Sequence, residues 1–310
     1  MSPLILKMPE RISEDFGDSI RKLAVLVERI HSTGGNEIMF DFSNCKFSSP
    51  LFLGGIAAIA FNLRHNGNTV DFNLNCIDYS FKKYLETIFF PAGFCPQESE
   101  LHSLHSTFEK YYTCTYIPLV AFPTAKSSVE DTIREKTLSA VNVILKNQLG
   151  LTGSFRDAVY YMIDELSNNA SDHSAVSRGF LFAQYYKSKN FMDLCISDGG
   201  KGVRDSYIRC GKYPEITSHS EAIKAAIQGK STKDIPESRG YGLSTSRSIL
   251  IDALKGKFML WSGAALASHT VEQNDVVALK NELFFPGSLV ALRIPTNDRK
   301  NFDFHAYTQG

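Results

Sequence analysis

Along this chain the apolar residues keep changing period, from every second position to every third or fourth and back, and that alternation restricts the fold more than any other feature. Residues 4–7 and 37–42 are apolar runs of strand length. Between them, residues 13–31 carry Ile20, Leu23, Leu26, Val27 and Ile30 at helical steps, and Thr33-Gly34-Gly35-Asn36 ends that pattern. Residues 50–64 are apolar at helical spacing until Asn66-Gly67-Asn68 stops them. Val70, Phe72 and Leu74 alternate like one face of a strand, and residues 79–89 return to helical spacing. Strand, helix, strand, helix, strand, helix is the order of a small α/β unit.

After this unit the rhythm pauses. Residues 91–105 mix Pro, Gly, His, Ser and Glu without a period and read as a connection. A chain of 310 residues exceeds what one core usually serves. The expected division is a first domain at 1–95, a linker at 96–114, a second domain at 115–296 and a polar, frayed tail at 297–310. In the second domain, residues 111–122 have strand character and residues 127–149 form a long helical pattern through Val129, Ile133, Leu138, Val141 and Leu145. Helix and strand signals then alternate between glycine-rich loops, so an α/β (α+β) class is expected for both parts.

Composition removes several function classes. Lys plus Arg and Asp plus Glu are equal at 33 each, which argues against direct nucleic-acid binding, since that needs excess cation. The longest apolar run, residues 51–61, is shorter than the ~20 residues that span a bilayer, so no membrane association is expected. The six cysteines form no CxxC pair and no zinc-ligand spacing, and read as free thiols. With no signal-peptide pattern at the start, a cytoplasmic location is expected.

The chemistry concentrates in four places. Residues 155–174 read as a helix, and on it Glu165 and Asn169 stand four apart on one face, as a carboxylate and an amide oxygen able to hold a divalent cation and orient a water. A short apolar strand at 193–196 runs into Asp198-Gly199-Gly200-Lys201-Gly202, where glycines let backbone approach a ligand closely. Arg239-Gly240-Tyr241-Gly242-Leu243 opens a helical pattern, an arrangement that points N–H groups at an anion. Gly287-Ser288 is a turn into a buried strand that ends at Pro295.

Taken in order, these four boxes resemble the GHKL superfamily, whose Bergerat-fold nucleotide domain is shared by gyrase-type topoisomerases, histidine kinases, mismatch-repair ATPases and anti-sigma serine kinases. The ELxxN box is Glu165 to Asn169, DxGxG is Asp198, Gly200 and Gly202, GxGL is Gly240 to Leu243, and the last is Gly287-Ser288. The resemblance implies binding of ATP with Mg²⁺. Asp198 would accept a hydrogen bond from the adenine amine, Asn169 would ligate Mg²⁺, and Glu165 would act as catalytic base. Gly240, Gly242 and the helix N-terminus after them would hold the phosphates, and Gly200, Gly202, Tyr241, Leu243 and Ser288 would belong to the ATP site. Residues 204–239 would be a mobile lid carrying Lys230 as a phosphate contact, with His173 as another.

The first domain resembles a STAS domain, the fold of anti-sigma-factor antagonists, through the strand at 38–42, the segment Ser43-Asn44-Cys45-Lys46-Phe47-Ser48-Ser49 and the helix beginning near Pro50. That family often carries Asp-Ser-Ser-Gly there, with a phosphorylated serine. Ser49 is the matching phosphoacceptor, while Ser48 and Pro50-Leu51 depart from the pattern. The resemblance implies a nucleotide-driven switch that contacts a protein partner, its own STAS-like domain or a second copy. The alternatives are a serine protein kinase and a non-catalytic ATP-binding module; intact Glu165 and Asn169 argue against the last.

Overall fold

Three short polar side chains start the first three helices. Asp15, Ser49 and Asp78 each accept a hydrogen bond from a backbone N–H three residues on. The computed structural model describes residues 3–173, 176–232, 242–297 and 302–308. In it, helices α1 (Phe16–Thr33), α2 (Pro50–His65) and α3 (Tyr79–Thr87) alternate with strands β1 (Leu4–Lys7), β2 (Glu37–Asp41) and β3 (Thr69–Asn73). The strands pair in parallel in the order β1-β2-β3. Gly34 stops α1 in the left-handed region (φ 60°), where a glycine pays no steric cost. The protein is therefore mixed α/β, as the alternating periods predict.

The segment expected to be a linker is packed instead. A turn at Glu98–Ser103 leads into α4 (Leu104–Phe108) and a further turn at Glu109–Tyr111. Leu104, Phe108 and Tyr111 are buried, and the Tyr111 hydroxyl donates to the Thr87 carbonyl at 2.6 Å. Their spacing is a helical stripe, which the intervening His, Ser, Glu and Lys hide from a reading by composition. The strand expected over 111–122 shrinks to β4 (Val120–Pro123), although Tyr116 keeps one bridge to the sheet at Gln184.

Two long helices follow, α5 (Ser128–Leu149) and α6 (Gly153–His173). Then come β5 (Arg178–Tyr186), β6 (Phe191–Asp198), α7 (Gly202–Cys210), α8 (His219–Ile227) and α9 (Gly242–Ser248). The chain continues through β7 (Lys257–Gly263), β8 (Ala265–His269), β9 (Asn274–Ala278), β10 (Phe285–Pro295) and α10 (His305–Thr308). Seven strands form one antiparallel sheet in the order β4-β5-β6-β10-β7-β8-β9. Among the described residues no helix is long and apolar enough to cross a membrane.

Helix α2 joins the two sheets. Every residue from Pro50 to Ala60 is buried, and a helix apolar all round needs cover on every side. It packs against α1 and β3 on one side and against β5, β6 and β10 on the other. Gly54 brings it onto β6, since a Cβ there would lie 2.7 Å from the Cys195 Sγ. Nearby, Arg293 of β10 donates two bonds of 2.8 Å to the buried Asp193 of β6 and a third, at 2.6 Å, to the Glu14 carbonyl. One apolar core thus runs continuously from the three-stranded sheet to the seven-stranded one. The expected frayed tail also docks where it is described: Phe304 lies edge-on to Tyr161 of α6, with ring centres 5.7 Å apart.

Candidate functional site

Strand period places the site. Successive side chains of a strand point to opposite faces, so Cys195 and Ser197 of β6 face α2 while Ile196 and Asp198 face the other side. On that other side, two rows of register partners cross β6, β10 and β7. One is Ile196, Val290 and Leu260; the other, two residues along, is Asp198, Ser288 and Ser262. The first row gives an apolar wall and the second a polar end. The whole first row and Asp198 and Ser288 of the second line a cleft that is open to solvent and has Leu166, Asn169 and Ala170 of α6 in its walls.

The polar end is tightly tied. Asp198 is 2% exposed, and its carboxylate accepts the Gly200 N–H at 2.9 Å and the Ser288 hydroxyl. Burial pushes its carboxyl up to about 6, against the pull of the Ser288 hydroxyl and of the Gly200 and Ser288 backbone N–H groups. Gly287 crosses directly over it at φ 75°, where a Cβ would collide with the Asp198 carbonyl and stand 2.5 Å from its Oδ1. Ser262 knots the neighbouring turns: its hydroxyl donates to the Gly287 carbonyl at 2.7 Å and accepts the Val203 N–H at 3.0 Å.

The helical side brings other expected residues together. Asn169, Gly202, Lys230, Gly242, Leu243 and Ser288 line the cleft with Asp198. Glu165 stands beside this wall, one turn before Asn169. Its carboxylate lies against Gly242, where a Cβ would collide with Oε2 and stand 2.8 Å from Cδ. A side chain at 242 would therefore have to displace the Glu165 carboxylate. Gly200 does not line the cleft; it holds Asp198 through its N–H. Gly240 and Tyr241 lie outside the described residues, as does the side chain of His173, which ends α6.

Of the segment expected to be a mobile lid, residues 204–232 are partly helical, and residues 233–239 lie outside the described residues. Tyr207 of α7, Ile216, and Ala222 and Ala225 of α8 make a small apolar cluster of their own. Four such residues scattered among polar ones carry little periodicity, which is why the sequence reads as a polar flap. Lys230 leaves this unit with its ammonium 3.1 Å from Glu215 Oε1 and over the Tyr213 ring. Its backbone carbonyl accepts the Tyr207 hydroxyl at 2.5 Å.

Ser49 lies away from the cleft and is 1% exposed. Its hydroxyl accepts the Phe52 N–H at 3.3 Å and bonds the Ser19 hydroxyl at 2.6 Å. The role seen is that of a helix cap. Ser49→Ala is expected to cost about 1 kcal/mol of stability, the usual value of a serine cap. Urea unfolding measures it, and an unchanged midpoint would mean that the cap contributes nothing.

Sequence reasoning missed Ser262, Leu260, Val290 and Tyr207. The signal for Ser262 was one hydroxyl in the apolar run Phe258-Met259-Leu260-Trp261, directly before Gly263. No protein-family model, no curated protein and no solved structure matches this chain.

Chemically, the cleft offers an apolar slot with one buried acceptor at its end, and Asn169, Lys230, Ser231 and Thr232 add polar groups to its walls. Among the described residues no three His, Cys, Asp or Glu side chains cluster as a metal site. A divalent ion here would rest on the Asn169 amide oxygen together with oxygens that a ligand brings, which suits Mg²⁺.

Proposed function

We propose that the chain binds Mg-ATP in this cleft as a GHKL-type module, hydrolyses it slowly, and uses nucleotide-dependent closure of residues 204–239 to control contact with a protein partner or with its own STAS-like N-terminal unit. The observation that carries this reading is convergence. Asn169 of α6, Asp198 and Gly202 of the glycine turn, Gly242 and Leu243 of α9, and Ser288 of β10 are distant in sequence and line one cleft.

The geometry supports adenine as the base. The wall of Ile196, Val290 and Leu260 suits a flat aromatic ring, and an ionised carboxylate only accepts hydrogen bonds. Adenine presents an amine where guanine presents a carbonyl, so Asp198 would favour the former. Asn169 would hold Mg²⁺, whose charge would offset that of the phosphates. Glu165 would orient or deprotonate the attacking water. The burial of Ser49 within a helix cap favours the switch over phosphoryl transfer to that hydroxyl.

Calorimetry with Mg-ATP and Mg-GTP on the intact protein tests the base assignment. ATP should bind and GTP should bind much more weakly; equal affinities, or no binding of either, would overturn it. The lid has its own test. Trypsin should cut after Lys230 or Lys233 in nucleotide-free protein, and a non-hydrolysable ATP analogue should protect those bonds more than ADP does. Equal cutting in all three states would mean that nucleotide does not gate this segment.

A further inference from the structure

We infer that Asn62, on the N-terminal unit's helix α2, is a positioning residue for base recognition, and that α2 forms the back plate of the Asp198 turn. The inference rests on the ATP reading above. Asp198 lies between two residues held from behind by this helix. On one side, the Ser197 hydroxyl donates to the Gly54 carbonyl at 2.9 Å. On the other, the Asn62 amide donates to the Gly199 carbonyl at 2.6 Å.

The fit is close because Gly199 has no side chain. A Cβ there would stand 2.5 Å from the Ala58 carbonyl oxygen and 2.9 Å from the Asn62 Cβ. The orientation of the Asn62 amide is itself fixed. Its oxygen accepts from the Asn66 amide at 3.1 Å, which leaves its nitrogen for Gly199. Beyond the turn, a cavity bordered by Val27, Ile59, Asn62, Asn66, Gly200 and Phe284 replaces solid packing. Asn62 is thus a polar tether at the edge of the turn, where Gly200, next to the held Gly199, borders a cavity. Losing it frees Gly199 to shift, and Asp198 moves with its neighbour. No contact between Asn62 and the cleft is needed, since Asn62 does not line it.

The test compares Asn62→Ala with wild type for Mg-ATP and Mg-GTP affinity. A merely structural residue would weaken both nucleotides together, whereas a residue that aims Asp198 should change only the ligand that Asp198 reads. ATP affinity should fall about five- to tenfold, the worth of one hydrogen bond, with GTP affinity unchanged. A parallel fall of both, or no fall, would overturn the inference. Wild-type protein that does not prefer ATP over GTP would overturn the ATP reading instead, so the two failures are distinguishable. A second measurement needs no variant. Because coupling is reciprocal, ATP bound to wild type should slow amide exchange in residues 50–65 as well as in 196–200. Slowing confined to the turn would mean that α2 is not coupled to the base.

Discussion

Glu165→Ala should leave Mg-ATP affinity nearly unchanged and cut phosphate release about 10²–10⁴-fold, the usual contribution of a positioned base. The positions of the two residues are the reason to expect different effects. Asn169 lines the cleft, while Glu165 stands one turn away against Gly242 and is not among the lining residues. Truncating Glu165 removes a carboxylate without removing a residue that lines the cleft. Asn169→Ala should do the reverse and weaken Mg-dependent binding itself. Single-turnover phosphate release with calorimetry on the same samples measures both. Turnover that survives Glu165→Ala would take that residue out of the chemistry. Wild-type protein that binds ATP yet releases no phosphate would leave the cleft as a binding module only.

Asp198→Asn should weaken ATP binding by about 1–3 kcal/mol, because the adenine amine would meet a donor in place of an acceptor. The same variant should stabilise the nucleotide-free protein. Burial holds the Asp198 carboxyl at about 6 in the fold, whereas the unfolded chain releases that proton near pH 4. The unfolded state therefore loses the proton first as pH rises. The stability that this group contributes is fully present below about pH 4 and is lost as pH climbs through about 6. The gap between about 4 in the unfolded chain and about 6 in the fold sets the ceiling of that loss at about 2–3 kcal/mol. ATP affinity runs the other way in wild type: it should strengthen between about pH 5 and 7 as the carboxylate ionises. In Asp198→Asn both slopes should flatten relative to wild type. Thermal unfolding and calorimetry across pH 4–8 test this, and a variant that keeps the wild-type pH dependence of ATP affinity would remove Asp198 from base recognition.

Much of the local structure was legible because it follows from period and caps. Residues 127–149 and 155–174 read as helices and are helices within one or two residues at each end. The glycine turn after β6 and the strand ending at Pro295 were equally plain. What the sequence hid was partnership across distance. Ser262 shares a register row with Asp198 and Ser288, but register between β6, β10 and β7 depends on pairing that no local spacing encodes. Asn62 was invisible for the same reason, since its acceptor lies 137 residues away. The supposed linker misled in a different manner. Its apolar residues at 104, 108 and 111 were present, but polar neighbours outnumbered them, and composition outweighed spacing in the reading.

Helix α2 also has a consequence for how the chain is made in a cell. It leaves the ribosome before Ser197, the partner of its Gly54, which follows 143 residues later. At about 5–20 residues per second, the apolar stretch of this helix waits on the order of ten seconds for its cover. A chain released in that interval would present Leu51 to Ala60 to other nascent chains or to a holding chaperone. Substitutions along α2 that spare the finished fold would still register in how much soluble protein the cell recovers.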